Sequence, residues 1–205
     1  MRKLLSLVLP FVAVLSCAGG PVDADKYYVD ADGKKGKALK TALSEIINPH
    51  TELSYSSLWE CFKTTDVRPD GKIWDMYSGV TNYTPGTDQA GNYSKEGDCY
   101  NREHSVPKSW FNDKSPMVTD LFHIVPTDGY VNGRRSNYPL GETAGESYKS
   151  SGGWSKLGRS STPGYSGTVF EPNDEYKGDF ARMYFYMVTC YAGNVSSWAS
   201  DMLAG

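Results

Sequence analysis

Three runs decide the fold: Asn101-Arg102-Glu103-His104-Ser105-Val106-Pro107, then Asp120-Leu121-Phe122-His123-Ile124-Val125-Pro126, then Thr127-Asp128-Gly129-Tyr130-Val131-Asn132-Gly133-Arg134-Arg135-Ser136-Asn137-Tyr138-Pro139. The first carries Glu103-His104 and closes on Pro107, which forbids a regular helix there. The second is apolar with a flanking proline and reads as a buried strand. The third opens on Thr127 or Asp128, either of which can cap a helix that must end before Pro139. Asn132-Gly133 is a poor pair for the middle of that helix, so the Asn side chain is kept for a purpose. Asn132 and Arg135, three residues apart, would share a helical face. That sets an amide oxygen beside a guanidinium suited to phosphate. Each run also has a plainer reading: Glu103-His104 as an accident of surface composition, His123 as a satisfied core histidine, the third run as a loop.

Two of the three histidines fall in this stretch. No second His lies four residues from His104, so this is no zincin helix. The cysteine pair of a zinc deaminase is missing. Past Cys17 only Cys61, Cys99 and Cys190 remain, without any CxxC, which argues against a thiolate zinc site. In an oxidising compartment these three allow one disulfide and leave one thiol.

Working outward, Leu39, Ala42, Leu43, Ile46 and Ile47 recur at helical spacing, and that helix should stop at Asn48-Pro49. Ser57 and Glu60 form the pattern of a capping box opening a short helix through Trp59 and Phe62. Pro69-Asp70-Gly71 reads as a turn feeding a strand over 72–77. Residues 79–98 and 141–168, dense in Gly, Ser, Asn and Thr, read as loops. Phe180, Tyr184, Met187, Val188 and Tyr191 lie on one helical face. Asp30-Asp32-Gly33 fails as a calcium loop, because its twelfth position is Thr41 and not a bidentate Glu. The whole is an α+β chain.

At 205 residues the chain makes one sizeable domain or two small ones, and its 22% charged and 39% hydrophobic residues are an ordinary globular balance. Fifteen Tyr imply a core built partly from tyrosine, with a stacking surface for bases or sugars as the alternative. Met1 to Lys3 are followed by an apolar run, Leu4 to Leu15, and then by small residues: the layout of a signal peptide over 1–17 and not of a transmembrane helix. Val14-Leu15-Ser16-Cys17 is also similar to a lipobox, so free export and a lipid anchor at Cys17 both stay open. The formal charge is −3, and removal of Arg2 and Lys3 makes it more negative. No general basic surface exists, so positive charge at any polyanion site must be local.

Asn101 to Pro107, Lys108-Ser109-Trp110-Phe111, Asp120 to Pro126 and Gly129 to Pro139 closely resemble the bacterial endonuclease I family. The likeness extends to Tyr27-Tyr28, the Leu39–Ile47 helix and Gly178-Asp179-Phe180-Ala181-Arg182. The resemblance implies a ββα-metal (His-Me finger) nuclease core surrounded by helices and long loops, in a single domain over 26–205. It implies an endonuclease with little sequence preference, leaving 5′-phosphate and 3′-hydroxyl ends on DNA or RNA. His104 matches the general base, and Glu103 and Asn132 match the ligands of one divalent cation, Mg2+ with Mn2+ or Ca2+ as alternatives. Arg135 is similar to a phosphate-contacting arginine, with His123 and Asn137 supporting. Family members usually continue beyond a segment like Trp198 to Gly205, so the resemblance also implies a short form or a fragment. No protein partner is evident. The rival from another class is a surface-anchored module that binds nucleic acid or glycan without cutting it.

Overall fold

The computed structural model of the chain describes residues 23–198. The leader over 1–17, the lipid-anchor reading of Cys17 and the segment 199–205 lie outside the described residues. Within them the chain divides into two compact units, 23–50 with 189–192 and 51–188 with 193–198. No helix among the described residues is long and apolar enough to cross a membrane.

The first unit contains α1 (Ala24–Tyr27), a 3-10 turn over Val29–Ala31 and α2 (Gly36–Ile47). Helix α2 ends ahead of Pro49 as expected, its cap Asn48 donating its backbone N–H to Ser44. The Asn48 amide reaches the Cys190 carbonyl at 2.9 Å, tying this helix to the 189–192 segment.

The second unit holds α3 (Leu58–Thr65), β1 (Tyr100–His104), β2 (Ile124–Asp128) and α4 (Gly129–Arg135). After them come β3 (Thr143–Lys149), β4 (Lys156–Ser160), β5 (Thr168–Glu171) and all but the last turn of α5 (Asp174–Cys190). The architecture is α+β. Strands β1 and β2 pair antiparallel, with Glu103 opposite Val125 and His104 opposite Ile124. Successive strand side chains point to opposite faces, and here both faces are covered. Ile124 packs with Leu58, Phe62, Ile73, Tyr83 and Tyr100. Val125 packs with Tyr77, Val131, Phe170, Phe180 and Met183. A strand buried on both faces reads as a continuous apolar run, which is why β2 was visible in sequence. Helix α4 begins at the residue after β2, so strand, strand and helix are consecutive in chain and adjacent in space.

Three sequence expectations are corrected. Ser57 precedes α3 but makes no side-chain cap bond; its backbone N–H instead donates to Ser54 Oγ and its own hydroxyl to the Ser54 carbonyl. Residues 72–77 form no strand, only a single bridge between Val67 and Ile73. The Asp75 carboxylate accepts from the N–H groups of Tyr77 and Ser78 and from the Thr81 hydroxyl, turning the chain before a ladder can extend. The stretch 141–168 is not a loop but carries β3 and β4, which with β5 make an antiparallel three-stranded sheet. Its glycines have a packing reason: a Cβ on Gly158 would lie 2.1 Å from the Gly145 carbonyl oxygen.

Candidate active site

Asp128 ends β2 and caps α4, its Oδ1 accepting from the Val131 N–H at 2.8 Å. Its Oδ2 accepts from the Tyr83 hydroxyl at 2.5 Å and the Gly97 N–H at 2.8 Å. One buried carboxylate thus fixes the helix start, the core and the 79–98 loop together. Gly133 sits mid-helix because the Tyr93 ring lies against it; a Cβ there would meet Tyr93 Oη at 2.4 Å. Capped and closely covered, α4 presents Asn132 to β1, where the Asn132 Nδ2 donates to Asn101 Oδ1 at 2.6 Å. That bond fixes the amide plane, and the Asn132 oxygen accepts no hydrogen bond among the described residues. Asn101 and Glu103, two apart on β1, point to the same face. All three line an open cleft of about 550 Å³ that also takes in Tyr55, His104, Lys108 and Asn137.

His104 is 5% exposed at the strand end. Its Nε2 lies 3.1 Å from the Val118 carbonyl oxygen. A carbonyl only accepts, so Nε2 carries the proton and Nδ1 keeps a free lone pair. Burial, and after it the neighbouring His123 ring, push His104 down to about 3, so the imidazole is neutral at ordinary pH. The Tyr55 ring lies nearly parallel to it.

The Glu103 carboxylate is 2% exposed. Its Oε1 accepts from the Tyr77 hydroxyl at 2.7 Å and from Arg135 Nη1. Burial pushes the Glu103 carboxyl up against the opposing pull of Arg135. Burial alone would lower Arg135, but Glu103 beside it pushes it up and keeps it charged. Arg135, read in sequence as a phosphate-contacting arginine, is among the residues that line the cleft. Its guanidinium is 1% exposed and also donates to the carbonyls of His104, Ser105 and Tyr138. With its donors committed inward, it clamps the end of β1 and holds Glu103.

His123 is fully buried, its Nε2 2.7 Å from the Met117 carbonyl and its ring edge-on to His104 at 5.5 Å between centroids. Two consecutive carbonyls of the 117–119 turn, Met117 and Val118, therefore hold the two histidines. Asn137 is exposed on the cleft rim. Sequence reasoning missed Asn101, Tyr77, Tyr55 and Trp59 as site residues. Only Asn101 carried a signal, its two-residue spacing from Glu103. Cys99 is a buried free thiol and takes no part in a disulfide.

The donor set facing the cleft is a carboxylate and amide oxygens, without thiolate, which suits a hard cation such as Mg2+. By class, then, this is an α+β chain that gathers a neutral histidine, a carboxylate and an amide oxygen on a strand–strand–helix unit. Residues 35–205 match the family described as Endonuclease I, and the chain belongs to that family. It is 38% identical over 175 residues to an extracellular ribonuclease of Bacillus amyloliquefaciens, covering 83% of this chain and 55% of that protein. Against an extracellular ribonuclease of Bacillus subtilis (strain 168) the identity is 36% over 196 residues, covering 94% of this chain and 60% of that one. The chain thus spans somewhat over half the length of these relatives. No solved structure matches it.

Proposed function

We propose that this chain is an exported, magnesium-dependent endonuclease that hydrolyses phosphodiester bonds with little sequence preference, His104 acting as general base on a ββα-metal core. The observation that carries the reading is the His104 tautomer. With Nε2–H committed to the Val118 carbonyl, the Nδ1 lone pair stays free on a residue that lines the cleft, and a water between it and a phosphate can lose its proton to it.

Glu103 and Asn132 would hold the cation, with Asn101 fixing the Asn132 amide. A bound Mg2+ there supplies Lewis-acid stabilisation of the charge that gathers on the phosphate oxygens. His104 Nδ1 takes the proton of the attacking water. The water oxygen bonds to phosphorus as the bond from phosphorus to the 3′ oxygen breaks, and that oxygen takes up a proton from solvent, leaving 5′-phosphate and 3′-hydroxyl ends. Arg135 and Tyr77 are positioning residues that set the Glu103 carboxylate. The relatives' name, extracellular ribonuclease, supports RNA as a substrate, and the chemistry of these groups does not depend on a 2′-hydroxyl.

The test sets the purified chain against folded RNA and, separately, supercoiled plasmid, with magnesium or EDTA, beside His104→Ala. Cutting is expected with magnesium only, and the variant should be slower by about 10²–10⁴-fold. Absence of cutting of either polymer by a folded, magnesium-supplied chain overturns the reading in favour of a binding module.

A further inference from the structure

One wall of the cleft is a layered stack. The Arg102 guanidinium carbon lies 3.7 Å from the centre of the Tyr55 ring and 4.3 Å from that of Trp59. The planar cation is therefore sandwiched between two aromatic rings. Arg102 Nη1 also donates to the Tyr55 carbonyl at 2.6 Å, pinning that residue to β1. From inside, Trp59 is fixed edge-on by Phe62 and Tyr100. The outer layer is different. Tyr55 is 39% exposed, and its ring lies 18° from parallel to His104 with centroids 6.1 Å apart. A stiff ring held from behind, open to the cleft and adjacent to the general base serves no purpose in the core.

We infer that Tyr55 is a stacking platform for an unpaired nucleobase next to the phosphate being cut, with Arg102 and Trp59 as positioning residues behind it. This rests on the nuclease reading above. Every base has an aromatic face, so such a platform tolerates any sequence. A base inside a duplex already has both faces covered, so the platform favours single strands. It also supplies contact where charge is scarce, since a chain of net charge −3 cannot rely on counterion release alone.

The experiment compares oligothymidylate and oligouridylate with abasic strands of the same length and sugar. Binding is read at low salt in EDTA by fluorescence anisotropy, and cleavage is read with magnesium as kcat/KM. The native chain should favour each base-bearing strand by about 10-fold or more. Tyr55→Leu should bring that ratio to near unity, and Tyr55→Phe, which keeps the ring, should restore it. Equal binding of base-bearing and abasic strands by the native chain overturns the proposal. So does a preference that survives in folded Tyr55→Leu. A preference confined to one polymer assigns discrimination to the sugar and overturns it too. Stacking preference without cutting would leave the platform standing and remove the nuclease reading; cutting without preference would do the reverse.

Discussion

Arg135 carries a charge at 1% exposure, and its four acceptors explain why a lysine cannot replace it. Lysine would keep the ion pair to Glu103 but, as a point donor, would leave carbonyls of Ser105 and Tyr138 unpaired in the interior. Arg135→Lys should therefore lose roughly 2–4 kcal/mol in urea unfolding. A loss under about 0.5 kcal/mol, the usual range for a neutral surface change, would mean the clamp is not structural. Asn132 offers the opposite test, because it is half-buried and its removal breaks only the bond to Asn101. Asn132→Ala should cost under about 1.5 kcal/mol, the net worth of one such bond. Magnesium should raise the melting temperature of the native chain by binding its folded state, and Asn132→Ala should lose that rise. A variant that still melts higher with magnesium would remove Asn132 from the ligand set.

Among the elements, α4 and β2 were legible from sequence because each carries its own punctuation. Asp128 caps, the helix ends at Arg135 ahead of Pro139, and the apolar run of β2 reflects burial on both faces. His104, Glu103 and Asn132 were legible with them, since the same three elements bring them to one cleft. Tyr77 was not, because its hydroxyl meets Glu103 from 26 residues away through a turn that no local pattern announces. Arg135 was placed on the correct helix, but its ion pair to Glu103 and its bonds to backbone carbonyls were not legible, since they depend on where β1 lies and not on helical spacing. Strands β3 and β4 were hidden by their own packing, since glycine lets the two backbones approach where a side chain would not fit. Gly158→Ala tests that account. Its Cβ would meet the Gly145 carbonyl, a backbone atom that cannot swing aside. The variant should be destabilised by roughly 1–3 kcal/mol, read as a lower urea midpoint with unchanged slope. Gly145→Ala, which meets nothing within 4 Å, should be milder; equal effects from both would sink the explanation.

For the whole molecule, the dependence of stability on pH follows from what the core holds neutral. The chain's pI is about 5.6, so its net charge is smallest there and self-repulsion least. Charge alone would place maximal stability near that pH, but buried titrating groups add contributions of both signs. His123 is fully buried, its Nδ1 without a hydrogen-bond partner among the described residues, and burial pushes it down to about 4. In the unfolded chain its value is the ordinary one of about 6.5. Below that pH the unfolded state binds a proton that the folded state refuses. Stability from this group is therefore complete above about 6.5 and falls as pH drops toward 4, by about 1.4 kcal/mol per unit. Asp75 and Asp66, whose carboxyls burial pushes up to about 7 and about 6, act in the opposite sense and gain stability over the same range, so the His123 contribution is read as a difference between variants in urea midpoints at pH 7.5, 6 and 5. Against the native chain, His123→Leu should gain by about that slope as pH falls, even if it starts lower at pH 7.5 because Met117 loses its partner. His104, pushed down by the same cause, adds a contribution of the same sign as His123. A variant whose midpoints fall in parallel with those of the native chain would show that His123 is protonated in the fold, and the acid sensitivity would then belong to other groups.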